Sequence, residues 1–167
     1  MQKTKMAMTY AVIAALGLAL SSSYVTTVLA VSPHFISASS GLKGSSLTCT
    51  FKEAGLGNLG TSNIKETCSA DATAVYVCVN KGGQHPQAAN KETVHGPVSG
   101  DGNFPIRNGQ TTGTITVDAP DAGNFDCPGG QKLKLASVEY TNVRICDELG
   151  NCEDLDDQEF EDPSVPT

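Results

Sequence analysis

The run Ala72-Thr73-Ala74-Val75-Tyr76-Val77-Cys78-Val79-Asn80, closed by Lys81-Gly82-Gly83-Gln84-His85-Pro86, constrains this chain more than any other stretch. Side chains alternate along an extended backbone, so Val75, Val77 and Val79 share one face while Ala74, Tyr76 and Cys78 share the other. Both faces are apolar, which places the strand in the middle of a sheet. If Tyr76 and Cys78 face the core, the stripe Val75, Val77 and Val79 points away from it and needs a cover. Two covers are open. One is another molecule or a second copy of the chain; the other is this chain's own residues 81–90 or its N-terminal arm.

Around this run the chain reads as short strands separated by turn residues. Residues 47–51 alternate, with Leu47, Cys49 and Phe51 on one face, and residues 63–69 form a weaker strand that would lie antiparallel to them. Residues 92–99 alternate again. Asp101-Gly102 carries the signature of a two-residue hairpin turn leading into residues 103–107, and Asn108-Gly109 repeats it before residues 112–118. Residues 119–131 form a long connection containing Pro120, Cys127 and Pro128, of the length of a crossover between sheets. In residues 132–146 the apolar parity changes twice, from Leu133 and Leu135 to Val138 and Tyr140, then to Val143 and Ile145. Either bulges near Ala136 and Asn142 reset the register, or two strands exchange sheets there. No amphipathic helix follows the first residues. The expected fold is all-β, an antiparallel β-sandwich, immunoglobulin-like in general architecture and stapled by disulfides.

Compartment and cross-links are read together. Lys3 and Lys5, the apolar residues 6–20 and the small-residue end Val28-Leu29-Ala30 have the layout of a secretory signal peptide over residues 1–30. The alternative is a retained membrane anchor, because residues 6–42 carry no Lys, Arg, Asp or Glu. Residues 31–44 read as an N-terminal arm, residues 45–146 as the β-sandwich domain, and residues 147–167 as a disulfide-closed turn with an acidic tail. Six cysteines in a small exported chain form a disulfide framework. Sequence position suggests Cys49 with Cys68, Cys78 with Cys127 and Cys146 with Cys152. The staples matter because the chain has no Trp and only five Phe and four Tyr to fill a core. Secretion or display at the cell surface is therefore expected.

The net charge of −7 belongs to one segment. Residues 147–162 hold nine acids and no base, whereas residues 31–146 balance nine acids against nine bases. A balanced body lacks the basic footprint that nucleic-acid binding requires.

Tyr76-Val77-Cys78-Val79-Asn80, Gly82-Gly83, His85-Pro86, Ala88-Ala89-Asn90-Lys91-Glu92-Thr93-Val94, Cys127-Pro128-Gly129-Gly130-Gln131 and residues 135–143 together resemble small exported microbial β-rich proteins of unknown function. The resemblance covers the body and implies export and a compact β fold, with no activity to transfer. The Cys146 to Cys152 turn and the acidic end depart from it. Residues 74–78 also resemble the strand of immunoglobulin variable domains that carries the second cysteine. The chain departs from that pattern in lacking a Trp and in having Cys49 and Cys68 close to Cys78 in sequence.

Candidate chemistry is sparse. His34, His85 and His95 are the only histidines, and no Gly-x-Ser-x-Gly elbow accompanies them. His85 and its neighbour Gln84, in a Gly-Gly-Gln-His-Pro loop, are candidates for an interaction surface with the valine stripe; the plainer reading is a loop residue fixed by Pro86. No Cys-x-x-Cys pair suggests a metal. Residues 153–159 offer hard oxygen ligands for calcium without the glycine and spacing of an EF-hand, which favours a solvated charge run. No cofactor is expected, and no Asn-x-Ser/Thr sequon is present. The sequence favours a secreted, non-catalytic binding or surface-structural module whose partner is a protein or surface, or a second copy of itself. The alternatives are a small extracellular hydrolase using His85 or His95, and a secreted protease inhibitor presenting residues 81–90.

Overall fold

The computed structural model describes residues 32–57, 59, 61–80 and 90–165. The strands in chain order are β1 (His34–Lys43), β2 (Ser46–Ala54), β3 (Asn63–Val79), β4 (Lys91–Pro105), β5 (Gln110–Val117), β6 (Lys132–Asp147), β7 (Cys152–Asp154) and β8 (Gln158–Glu161). They form two sheets. One has the order β1-β2-β5; the other has the order β4-β3-β6-β7, with β8 also paired to β6. Every pairing between strands is antiparallel. The alternation read in the sequence decides what lies between the sheets. Leu47, Cys49 and Phe51 of β2 and Ile115 and Val117 of β5 share one buried cluster with Cys68, Ala70, Ala72 and Ala74 of β3 and Val138, Tyr140, Val143 and Ile145 of β6.

The central run is the C-terminal half of β3, the longest strand, paired to β4 on one side and β6 on the other. It is continuous with residues 63–69, so the two expected strands are one. Tyr76 and Cys78 do face the core side of β3, and the Tyr76 hydroxyl donates to Pro120 O at 2.6 Å. The fully buried Tyr140 donates to Ser45 O at 2.7 Å, which supplies the hydrogen bond its hydroxyl needs inside the core.

All three disulfides have the expected partners. The geometry around Cys49 and Cys68 differs from the expected hairpin. β2 and β3 lie in different sheets, so this fully buried bridge crosses the interior. Cys78 to Cys127 ties the end of β3 to the long connection, and Cys146 to Cys152 joins directly opposed residues of β6 and β7.

The parity changes of β6 are bulges. Ala136 is the extra residue between the pairs Val75 with Ser137 and Tyr76 with Leu135. At the second bulge, Asn142 and Val143 stand opposite the single residue Ala70, and Asn142 takes a positive φ of 53°.

The Asn108-Gly109 turn forms as expected, with φ of 52° and 73° and reciprocal hydrogen bonds between Arg107 and Gln110. The Asp101-Gly102 turn does not. Asp101 and Gly102 pair with Thr67 and Glu66 inside an unbroken β4. The nearby Gly100 serves close approach, since a Cβ there would stand 2.8 Å from Thr116 O of the other sheet.

Two further expectations are corrected. Most of the N-terminal arm is β1, held along β2 from His34 to Lys43. The acidic end is folded onto the molecule: β7 and β8 both pair with β6, and Ser40 of β1 donates to Asp156 O. Backbone pairing, which ignores side-chain charge, carries these acids along a sheet edge with their carboxylates turned to water.

Candidate functional site

Bulges bend and twist the strand that carries them, and the bulge at Asn142 shapes the outer side of the five-stranded sheet. A trough of about 800 Å³ runs there across four strands. Its walls come from Ser69 to Asp71 on β3, Pro97 to Ser99 on β4, Asn142 to Arg144 on β6, Asp154 on β7, and Leu155 and Asp157 just beyond. The bulge turns the Asn142 amide along the trough, where it donates to Asp71 Oδ2 at 2.9 Å. The Arg144 guanidinium donates to Asp154 Oδ1 at 2.6 Å. That contact, with the charge behind it, holds the exposed Asp154 carboxyl below the usual carboxylate range and raises Arg144. Among the described residues Asp157 has no ion pair, so three carboxylates face one guanidinium and the lining carries a net negative charge. A surface of this kind favours a cation-bearing, hydrogen-bonding ligand.

The residues singled out in the sequence lie elsewhere. Val77 and Val79 are buried, at 1% and 8% exposure, in a small cluster with Val165, against which Val75 and Ala136 pack. Among the described residues, the cover on Val77 and Val79 is the chain's own C-terminal segment at Val165, while residues 81–89 lie outside the described residues. Asp162 N donates to Ala136 O at 2.8 Å, Val165 N donates to Asp162 O at 3.0 Å, and Lys134 Nζ donates to Ser164 Oγ at 2.8 Å, which together seat Val165 on the stripe. Gln84 and His85 lie outside the described residues, as does the signal segment. His95 stands opposite Thr73 on the exposed side of β4, its Nδ1 2.9 Å from the Thr73 hydroxyl, and His34 Nδ1 lies 2.9 Å from Ser32 O. The calcium candidates of residues 153–159 are strung along β7, β8 and the link between them. Among the described residues no group of three or more His, Cys, Asp or Glu side chains is placed to hold a metal ion.

A second constellation was missed in the sequence. Glu53 of β2 and Glu66 of β3 are both fully buried, one from each sheet, and among the described residues no N–H or hydroxyl donor reaches their four carboxyl oxygens, which leaves each carboxyl to the other. Burial, then hydrogen bonding to Glu66 and Asp147, pushes the Glu53 carboxyl up to about 9. Burial, with the charges of Asp147 and Glu148, pushes Glu66 up to about 7 against the hydrogen bond from Glu53, which lowers it. The signal was present as parity. Glu53 continues the buried face of Leu47, Cys49 and Phe51, and Glu66 sits between Ile64 and Cys68 on theirs.

No family model, no curated protein and no solved structure matches the chain.

Proposed function

We propose that this chain is an exported, disulfide-braced β-sandwich, immunoglobulin-like in general architecture, that acts as a non-catalytic binding module and takes a basic segment of a protein partner in the trough of its larger sheet. The observation that carries the reading is the trough itself: four strands contribute to one open, polar, net-negative surface whose shape is set by the Asn142 bulge. Bulges are enriched where a sheet re-aims side chains for binding. Three disulfides support export, since such cross-links persist in oxidising compartments.

The test is a two-dimensional NMR titration of the isotope-labelled, oxidised protein with a lysine-rich decapeptide, and in parallel with a glutamate-rich one. The reading predicts shifts from the lysine-rich peptide centred on Ser69 to Asp71, Ser99 and Asn142 to Arg144, and none from the acidic peptide. Shifts of equal size from both peptides, or a response confined to the other sheet, would remove it.

A further inference from the structure

We propose that Glu53 and Glu66 form a proton-sharing latch across the interior, which clamps the two sheets together in acid and weakens as the surroundings turn alkaline. Two fully buried carboxyl groups, one from each sheet, lie within hydrogen-bonding reach of each other, and among the described residues no N–H or hydroxyl donor reaches either. Two buried carboxylates without donors would be strongly disfavoured, whereas one retained proton lets the acid form of one donate to the other.

Each packed element is consistent with this arrangement. On β5, Thr111 stands directly opposite Glu53 and adds a hydroxyl that is only 3% exposed and likewise without a partner. Asp147, at the end of β6, has its carboxylate occupied by Leu149 N, Asn151 N and Asn151 Nδ2, at 2.9, 2.7 and 2.6 Å. It offers no donor, and it adds negative charge and a second acceptor for the Glu53 proton. Glu148 accepts from Lys65 N and adds a second negative charge. Phe104 of β4 and Phe35 of β1 both pack on Phe51, two residues before Glu53. Of the cations at this end, Lys65, next to Glu66, pairs with Asp101 at 3.3 Å, and Lys52 and Arg107 line a separate pocket of about 330 Å³ with Thr111 in its wall. No lysine, arginine or histidine forms an ion pair with either glutamate among the described residues.

The sign follows from the direction of the shifts. Both folded carboxyls titrate above their ordinary value of 4.5, so the folded state binds more protons than the unfolded chain between that value and about 9. Stability from the latch is complete below the ordinary carboxyl range and is lost as pH rises through about 7 and about 9.

The test is the thermal unfolding midpoint of the full, disulfide-intact chain from pH 4 to 9.5, for wild type, Glu53→Gln and Glu66→Gln, each with calcium and with a chelator. The latch predicts a wild-type midpoint that falls steadily from pH 5 to 9, a flatter profile in either variant, and no response to calcium or chelator. Infrared difference spectra at pH 7 supply a readout independent of variant folding: wild type retains a protonated-carboxyl band that disappears on raising the pH. A midpoint that is constant or rises with pH, a missing protonated-carboxyl band, or a midpoint raised by calcium and lowered by chelation would each overturn the proposal, the last in favour of a bound cation.

Discussion

At the scale of single residues, the contact between the sheets near β4 depends on what is absent. Gly113 of β5 lies under the ring of Phe104, and a Cβ at that position would run into the ring. Phe104 in turn meets Phe51 edge-on, with centroids 4.9 Å apart, and Phe51 meets Phe35 at 6.3 Å. Overpacking such a seam costs about 1–3 kcal/mol. Gly113→Ala is expected to lower unfolding stability by that amount in urea titrations, and an unchanged midpoint would show that Phe104 moves aside freely. The buried glutamates belong to the same scale. Their positions were legible by parity with Cys49 and Cys68, but charge argues for the surface in any composition-based reading. What reverses that expectation is the other carboxyl, and only the pairing of sheets brings Glu53 and Glu66 together.

At the scale of elements, patterns internal to one strand were legible and choices of neighbour were not. The parity changes of β6 located both bulges, near Ala136 and Asn142, because each extra residue shifts every following side chain to the other face. The central run was legible as an interior strand for the same reason. Asp101-Gly102 misled because the dipeptide permits a turn without requiring one, and β4 instead runs straight alongside β3 through both residues. The cover on the valine stripe was not legible at all. Val165 lies 86 positions from Val79 in sequence, and nothing local in an acidic segment followed by Pro163 and Ser164 announces a return to the sheet. Because Val77 is buried under that segment, Val77→Lys places a charge in an apolar site and is expected to cost about 3 kcal/mol or more, read as a lowered urea midpoint. Full retention of stability would mean that the segment does not cover the stripe in solution.

At the scale of the whole molecule, the cross-links and the charge divide the work. Cys49 to Cys68 joins the sheets through the core, and its 19-residue separation corresponds to about 3 kcal/mol in a loop-entropy account. The other two bridges secure the end of β3 and the β6–β7 corner, which leaves the trough on a braced sheet. The acidic residues that looked like a solvated tail instead bring Asp154 and Asp157 to the trough's rim, so the segment that carries the net charge also sets the polarity of the candidate site. The central claim is that this rim selects a basic partner. Calorimetric titration of the oxidised protein with a lysine-rich decapeptide, comparing wild type with the Asp71→Asn, Asp157→Lys double variant, tests it most directly. Asn at position 71 keeps an acceptor for the Asn142 amide, and Asp157 makes no ion pair among the described residues. The account predicts measurable binding by wild type, weakened by added salt, and at least about a tenfold loss in the variant, equivalent to about 1.4 kcal/mol. Equal affinity in the two proteins, or no binding by wild type at low salt, would contradict it.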